Sequence, residues 1–207
     1  MILEWLRFKI PSISTGEMLR AEIAAETPLG IGTKAIIASG GLVGDGLINE
    51  MLAARIARPD CKNGFMLDGY PRTLEQAEFL DRLLAERRLP PPAVIHMDVP
   101  ADVLVGRIIC RRQCARCGLM YNILSMRPKT PGCCNDCGGH LVVRKDDRED
   151  VVRERLRTYE AQTTPVLSHY YNGNYCHIPG DRSPVYTFEA IASFLEPLLN
   201  GTQSGTH

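Results

Sequence analysis

The sequence predicts an α/β fold: a parallel sheet flanked by helices, with a cysteine-rich segment inserted into it. Three observations carry that expectation. Short apolar runs alternate with segments of helical spacing, and strands separated by helices form parallel sheets through right-handed crossovers. The string Asp68-Gly69-Tyr70-Pro71-Arg72 directly follows one apolar run, and ligands of such sheets bind beyond the carboxyl ends of the strands. Five of the eight cysteines (Cys114, Cys117, Cys133, Cys134 and Cys137) crowd into one turn-rich stretch that interrupts the alternation.

Taken in order, Pro11 to Ser14 has extended character, and Ser14-Thr15-Gly16-Glu17 reads as a capping box opening a helix to about Ala25. A second helix covers roughly Leu47 to Arg58, where Leu47, Met51, Leu52 and Ile56 recur at helical spacing. Phe65-Met66-Leu67 is a short strand. Thr73 with Gln76 forms a second capping box, opening a helix to about Arg87. The prolines at 90–92 end that segment, Ala93 to Val99 is a strand, and Ala101 to Arg112 a helix. After the cysteines a long helix resumes near Asp147 and bends at Pro165. Asn174 to Ile178 is the last strand and Val185 to Leu199 the closing helix, followed by a polar, frayed tail over 201–207.

A hydrophobic share of 44% suffices for a sizeable core, which excludes a disordered chain. Lys plus Arg equals Asp plus Glu at 24 each, a balance that argues against broad nucleic-acid binding. No apolar stretch has the length of a membrane span, and the N-terminal residues have no signal-peptide pattern. A cytoplasmic protein without membrane or nucleic-acid partners is the expectation. In that setting crowded cysteines read as a metal site rather than as disulfides.

Cys114-x-x-Cys117 and Cys134-x-x-Cys137 are two knuckles whose four thiolates can converge on one tetrahedral zinc. Gly118 and Gly138 follow the knuckles and supply the backbone freedom such turns use. With no open coordination position, the zinc is expected to be structural. Cys133 is surplus; the paired two-residue gaps favour Cys134 over it. The alternatives are free thiols in a loop, or a nucleic-acid-binding ribbon. Little basic or aromatic clustering beyond Tyr121, Arg127 and Lys129 supports the latter.

Arg72, Arg107, Arg111, Arg144 and Arg155 stand out by position. Arg107 and Arg111, four apart, are expected on one helix face. Converging guanidiniums neutralise polyphosphates and stabilise charge in phosphoryl transfer; each arginine taken alone reads equally as a solvated surface residue.

With those residues in place, the sequence resembles adenylate kinases of the zinc-containing, long-lid type. Ile13-Ser14-Thr15-Gly16-Glu17-Met18-Leu19-Arg20 is similar to the start of that family's AMP-binding segment, and Gly64 through Thr73, with Gln76 beyond, resembles its signature. Gly106-Arg107 through Arg111-Arg112 leads into a four-cysteine lid that Arg144-Lys145-Asp146-Asp147 closes; Arg155, Tyr159, Pro165 and Gly180 continue the likeness. The resemblance implies a discontinuous core (1–112 and 144–200) containing an AMP-binding segment (15–44), and a zinc-binding lid (113–143). It also implies transfer of the γ-phosphoryl group of Mg-ATP to AMP, giving two ADP, in a monomer. Thr15, Arg20, Gly69, Arg72 and Gln76 would hold AMP, with Leu42 and Val43 lining the adenine pocket. Arg107, Arg111, Arg144 and Arg155 would clamp phosphates. Tyr121 and Arg182 would lie on the ATP side, Asp68 would order the magnesium's water shell, and Asp146 and Asp147 would help close the lid.

One departure stands against the likeness. Family members open with a strand, a Gly-rich phosphate-binding loop and a helix, yet no Gly-x-x-x-x-Gly-Lys-Ser/Thr occurs here. Gly30-Ile31-Gly32-Thr33-Lys34 lacks the order, and Met1 to Phe8 fits the last turns of that helix. The absent strand belongs mid-sheet, between the strands at Phe65–Leu67 and Ala93–Val99. Its ladder bonds and buried side chains are comparable to the whole stability of a typical domain. A polypeptide of this sequence is therefore expected to be marginally folded and slow or inactive as a kinase. A misplaced start or truncated gene, or a degenerate protein that binds nucleotide without catalysis, would each produce this pattern; the intact AMP and lid residues favour the first.

Overall fold

A computed structural model describes residues 10–39 and 41–201, with side chains through 198. The readings made for Met1 to Phe8 and for most of the 201–207 tail lie outside the described residues. The chain forms two compact units. One comprises residues up to Thr33, Val43–Val99 and those from Tyr159 onward; the other comprises Lys34–Leu42 and Pro100–Thr158.

In the first unit, β1 (Ser12–Ser14) runs into α1 (Thr15–Ala24), and α2 begins at Pro28 (Pro28–Ser39). Helix α3 (Asp45–Ile56) precedes β2 (Met66–Asp68), α4 (Leu74–Glu86) and β3 (Ala93–Asp98). The capping box at Ser14 supplies only position: Ser14 is the N-cap of α1 but makes no side-chain cap bond. Thr73 does cap α4, its hydroxyl accepting from the Gln76 N–H at 3.2 Å. Helix α3 buries Ile48, Leu52 and Ile56 at four-residue spacing, with Asn49 beside them.

Helix α2 was not legible as a helix because Gly30 and Gly32 weaken the pattern. Its start carries the usual signals, however, with Pro28 in the first turn and the Thr27 hydroxyl accepting from the Gly30 N–H at 3.0 Å. Gly30 is required by close approach: a Cβ there would lie 2.1 Å from the Glu22 carbonyl oxygen.

The strands are parallel, as expected, but they stand in two pairs. β1 pairs with β2 in the register Ser12↔Met66, and β3 with β7 (Asn174–Pro179) in the register Ala93↔Asn174. Among the described residues no strand joins β2 to β3. Correspondingly, no residue of β2 or β3 is fully buried, whereas a doubly covered parallel strand buries nearly all of its side chains. This is the pattern expected when no described residue fills the mid-sheet position between them. The core survives on the helical side, where Ala77 packs against Val166 and Tyr170, with Val94 alongside.

The closing segment of this unit holds a five-residue π turn (Tyr159–Thr163), α7 (Thr164–Tyr170), β7 and α8 (Pro184–Gly201). Near Pro165 the helical ladder changes to that π turn before α7 begins, since proline withholds the N–H that would continue it. Gly180, after β7, donates its N–H to the Asp98 carbonyl at 2.7 Å, and a Cβ there would meet Val99 at 2.5 Å.

In the second unit, α5 (Ala101–Ile109) is shorter than expected. Arg111 opens β4 (Arg111–Cys114), which pairs antiparallel with both β5 (Met120–Asn122) and β6 (Leu141–Val142). Arg107 and Arg111 therefore do not share a helix face; the ladder Arg111↔Asn122 takes the chain out of the helix. A 3₁₀ turn (Lys145–Asp147) then leads into α6 (Glu149–Thr158). No helix of the described residues is long and apolar enough to cross a membrane.

Candidate functional sites

In the first unit the chain turns sharply at the end of β2. Gly69 adopts a φ of 72°, which favours glycine, and a Cβ there would approach the Arg72 guanidinium to 2.7 Å and displace it from its present position. The Tyr70–Pro71 peptide is cis. The Gly69 carbonyl accepts two hydrogen bonds, from the Thr15 hydroxyl at 3.0 Å and from Arg72 Nε at 2.8 Å. Those contacts bring together the start of α1, the strand end and the guanidinium. Arg20 belongs to the same segment, its Nη1 lying 3.0 Å from where a Gly16 Cβ would be. Asp68 is exposed at the carboxyl end of β2.

Gln76 lies 3% exposed at the first turn of α4. Its Oε1 accepts from the Arg72 N–H at 2.8 Å, and its Nε2 donates to Asp45 Oδ1 at 2.6 Å. The second oxygen of Asp45 accepts from the Thr73 hydroxyl at 2.7 Å. Beneath them the Tyr70 hydroxyl donates to Asn49 Oδ1 at 2.6 Å, and burial with the nearby Asp45 charge pushes its pKa up. Asp45 and Asn49 were missed in the sequence. Their only signal is that both lie on the same helical segment, four residues apart, and nothing in their spacing reveals Gln76 or Tyr70 as partners. Val43 is buried and Leu42 partly so. Arg182 is exposed, with Asp181 as its neighbour at 4.0 Å.

In the second unit three guanidiniums meet two carboxylates. Arg111 Nε donates to Asp147 Oδ2 at 2.8 Å, with a second, shorter bond from Nη2 to Oδ1; the Asp147 side chain is fully buried. Arg144 Nε donates to Asp146 Oδ1 at 3.0 Å, and its Nη2 to Oδ2 at 2.5 Å. Arg155 donates to the Asp146 carbonyl at 3.4 Å and lies 3.9 Å from its carboxylate. Burial, countered by Asp146 and reinforced by the charges of Arg111 and Arg144, draws the Arg155 pKa below its ordinary value. It remains a cation at working pH, so the cluster carries three positive charges against two negative. Burial disfavours the Asp146 carboxylate, but Arg144, with Arg155 behind it, outweighs that and holds the carboxyl below the usual range. Arg107 is exposed in the last turn of α5.

The four expected cysteines come together. The Sγ atoms of Cys114, Cys117, Cys134 and Cys137 all lie within 4.8 Å of one another, with Cys114···Cys137 at 3.4 Å and Cys117···Cys134 at 3.6 Å. Tetrahedral ligands at about 2.3 Å from zinc sit about 3.8 Å apart, so the cluster is compatible with a zinc ion. Two matching turns build it: Gly118 N–H donates to the Cys114 carbonyl and Gly138 N–H to the Cys134 carbonyl, each at 3.0 Å, with φ of 78° and 71°. Cys133 lies outside the cluster, bridged by backbone to His140. Tyr121 is buried against the cysteines; its hydroxyl accepts from the Asn135 N–H at 2.7 Å and lies 3.3 Å from Cys134 Sγ.

A parallel α/β unit with polar groups gathered at a strand end, in a chain that also carries a guanidinium–carboxylate cluster and a four-thiol ribbon, has the make-up of a nucleotide phosphotransferase. Comparison with known proteins fits that class. A family model described as adenylate kinase matches residues 5–175. The adenylate kinase of Thermodesulfovibrio yellowstonii is 43% identical over 191 residues, spanning 92% of this chain and 89% of that one. That of Clostridium tetani is 42% identical over 190 residues (91% and 88%), and that of Symbiobacterium thermophilum 48% over 161 (78% and 74%). The chain belongs to the adenylate kinase family.

Two outcomes are expected of these sites. Metal analysis of purified protein should find one zinc per chain, lost in Cys134→Ser and retained in Cys133→Ser. A carboxyl held low contributes stability that is present above its unfolded pKa and lost as pH falls through its folded one. Asp146→Asn should therefore cost about 1.5–3 kcal/mol at neutral pH, with its gap from the parent protein closing below pH ~4 in urea unfolding.

Proposed function

We propose that the protein is a phosphotransferase that passes the γ-phosphoryl group of ATP reversibly to AMP, giving two ADP, and that AMP is held at the carboxyl end of β2. The observation that carries this reading is the set of groups gathered around Gly69 in a chain of this family: Thr15, Arg72 and Gln76, with Arg20 nearby on α1. Arg20 and Arg72 would bind the AMP phosphate. Gln76 would face the adenine, with Leu42 and Val43 lining its pocket. An AMP phosphate oxygen attacks the γ-phosphorus as the bond to the β-phosphate oxygen breaks, so both products are ADP. The reaction needs alignment and charge neutralisation rather than a covalent intermediate.

Arg107, Arg111, Arg144 and Arg155 would neutralise the transferred phosphoryl group and its neighbours. The ion pairs to Asp146 and Asp147 hold three of these guanidiniums in place beforehand, which lowers the cost of reorganising them. Asp68 would order the water shell of magnesium accompanying ATP. The zinc ribbon would act structurally, and Tyr121 and Arg182 would serve the ATP side.

The 207 residues contain no Gly-x-x-x-x-Gly-Lys-Ser/Thr, so the usual cradle for donor phosphates is not among them. That absence supports a second reading, in which a polypeptide of this sequence binds AMP without efficient turnover. Calorimetry with AMP and a coupled assay for ADP separate the two. Both readings predict AMP binding that Arg72→Ala weakens at least ~10-fold, as expected on losing a charge-assisted hydrogen bond. ADP formation near that of a relative carrying the loop would favour the first reading, and its failure the second. Absence of AMP binding would contradict both.

A further inference from the structure

A carboxamide has two ends of opposite polarity, and turning it over exchanges a donor for an acceptor. Gln76 is held one way round by two partners that sort its ends in the same sense. The Arg72 N–H can only donate, and it meets Oε1; the Asp45 carboxylate accepts, and it meets Nε2. A flipped amide would set oxygen against carboxylate and NH₂ against N–H, replacing two hydrogen bonds by two repulsions.

Asp45 is itself fixed. It occupies the first turn of α3, and its other oxygen accepts from the Thr73 hydroxyl, which in turn caps α4 by accepting from the Gln76 N–H. Turning Asp45 away would cost the Thr73 hydroxyl its acceptor as well as the amide contact. These bonds use one Nε2–H and one Oε1 lone pair, so the amide keeps one donor and one acceptor for a ligand.

We propose that Asp45 is a specificity-positioning residue: by locking the Gln76 carboxamide, it sets the hydrogen-bond polarity offered to the acceptor's base. Adenine presents a donor at position 6 and an acceptor at position 1. A 6-oxopurine such as hypoxanthine presents the reverse. In one base pose, an amide held one way round matches only one of these bases, whereas an amide free to turn matches both. Asp45 thereby makes the site choose AMP over 6-oxopurine monophosphates. This inference rests on the proposed function, in which Gln76 faces the base.

The test is calorimetric affinity for AMP and for IMP in the parent protein and three variants. Asp45→Asn presents an amide that accepts or donates, which removes one of the two partners that sort the Gln76 ends and leaves only the Arg72 N–H; the AMP-over-IMP preference is expected to narrow about tenfold, the value of one lost directional hydrogen bond. Thr73→Val removes the cap bond and the hydroxyl bond to Asp45 but leaves the Asp45–Gln76 contact; it should lower stability while largely keeping the preference, which separates the polarity set by Asp45 from general loosening. Gln76→Leu should weaken AMP and abolish the preference. If Gln76→Leu behaves as expected but Asp45→Asn keeps the parental preference, the role given to Asp45 is wrong and the base contact stands. If Gln76→Leu leaves both affinities unchanged, or the parent binds neither nucleotide, the proposed acceptor site and the role of Asp45 fall together.

Discussion

The carbonyl oxygen of Gly69 organises the candidate acceptor site. It ends β2, and it accepts from Thr15 at the start of α1 and from the Arg72 side chain. Both bonds depend on the backbone turning at a residue of positive φ, which glycine adopts without strain, and a Cβ there would also push the Arg72 guanidinium from its present place. From Arg72 the connection continues through its own N–H to Gln76, and from Gln76 to Asp45 and the cap of α4. The Arg72 carbonyl accepts from Thr163 in the π turn before α7, which ties the site to the far end of the unit's sequence. A guanidinium anchored at its Nε and at its own backbone loses little further freedom when it meets a phosphate.

The second unit holds its guanidiniums by a different device. Here guanidiniums are held by carboxylates, and the most buried of these, Asp147, takes a two-pronged bond from Arg111. Neighbouring cations would repel in a partly buried cluster; Asp146 and Asp147 offset that repulsion and leave a net positive charge. The ribbon between Arg111 and Arg144 is short of apolar core of its own, with only Tyr121 and two of the cysteines buried and Cys137 and Leu141 packed beside them. A tetrahedral thiolate site suits such a segment, because metal binding supplies stability that burial cannot.

Most of this was legible in the sequence where the signal is local. The strand-end string from Asp68 to Arg72, the Thr73 cap and the two cysteine pairs each declare themselves within a few residues: the string ends a strand, the four thiols gather, and Thr73 caps α4, although the Gln76 side chain meets the Arg72 N–H instead of completing the box. Cys134 was favoured over Cys133 by spacing, and the thiol cluster includes it. The readings that failed are those in which local propensity lost to longer-range pairing. Arg111 leaves its helix because β5 offers it a ladder, and Ser14 forgoes its cap bond although it stands at the right place. Asp45 could not be found from spacing, because its partners lie on another helix and only the folded chain brings them within hydrogen-bond reach. The two unjoined strand pairs were anticipated through the family resemblance, since periodicity alone gives no strand order.

The most direct test is a titration of isotopically labelled protein with AMP, followed by two-dimensional amide and side-chain NMR. The largest shifts should fall at Thr15, Gly69, Arg72 and the Gln76 side-chain amide, with the cysteine ribbon scarcely moved. Saturable shifts centred on the ribbon or on α8, with the end of β2 unchanged, would contradict an acceptor site built around Gly69.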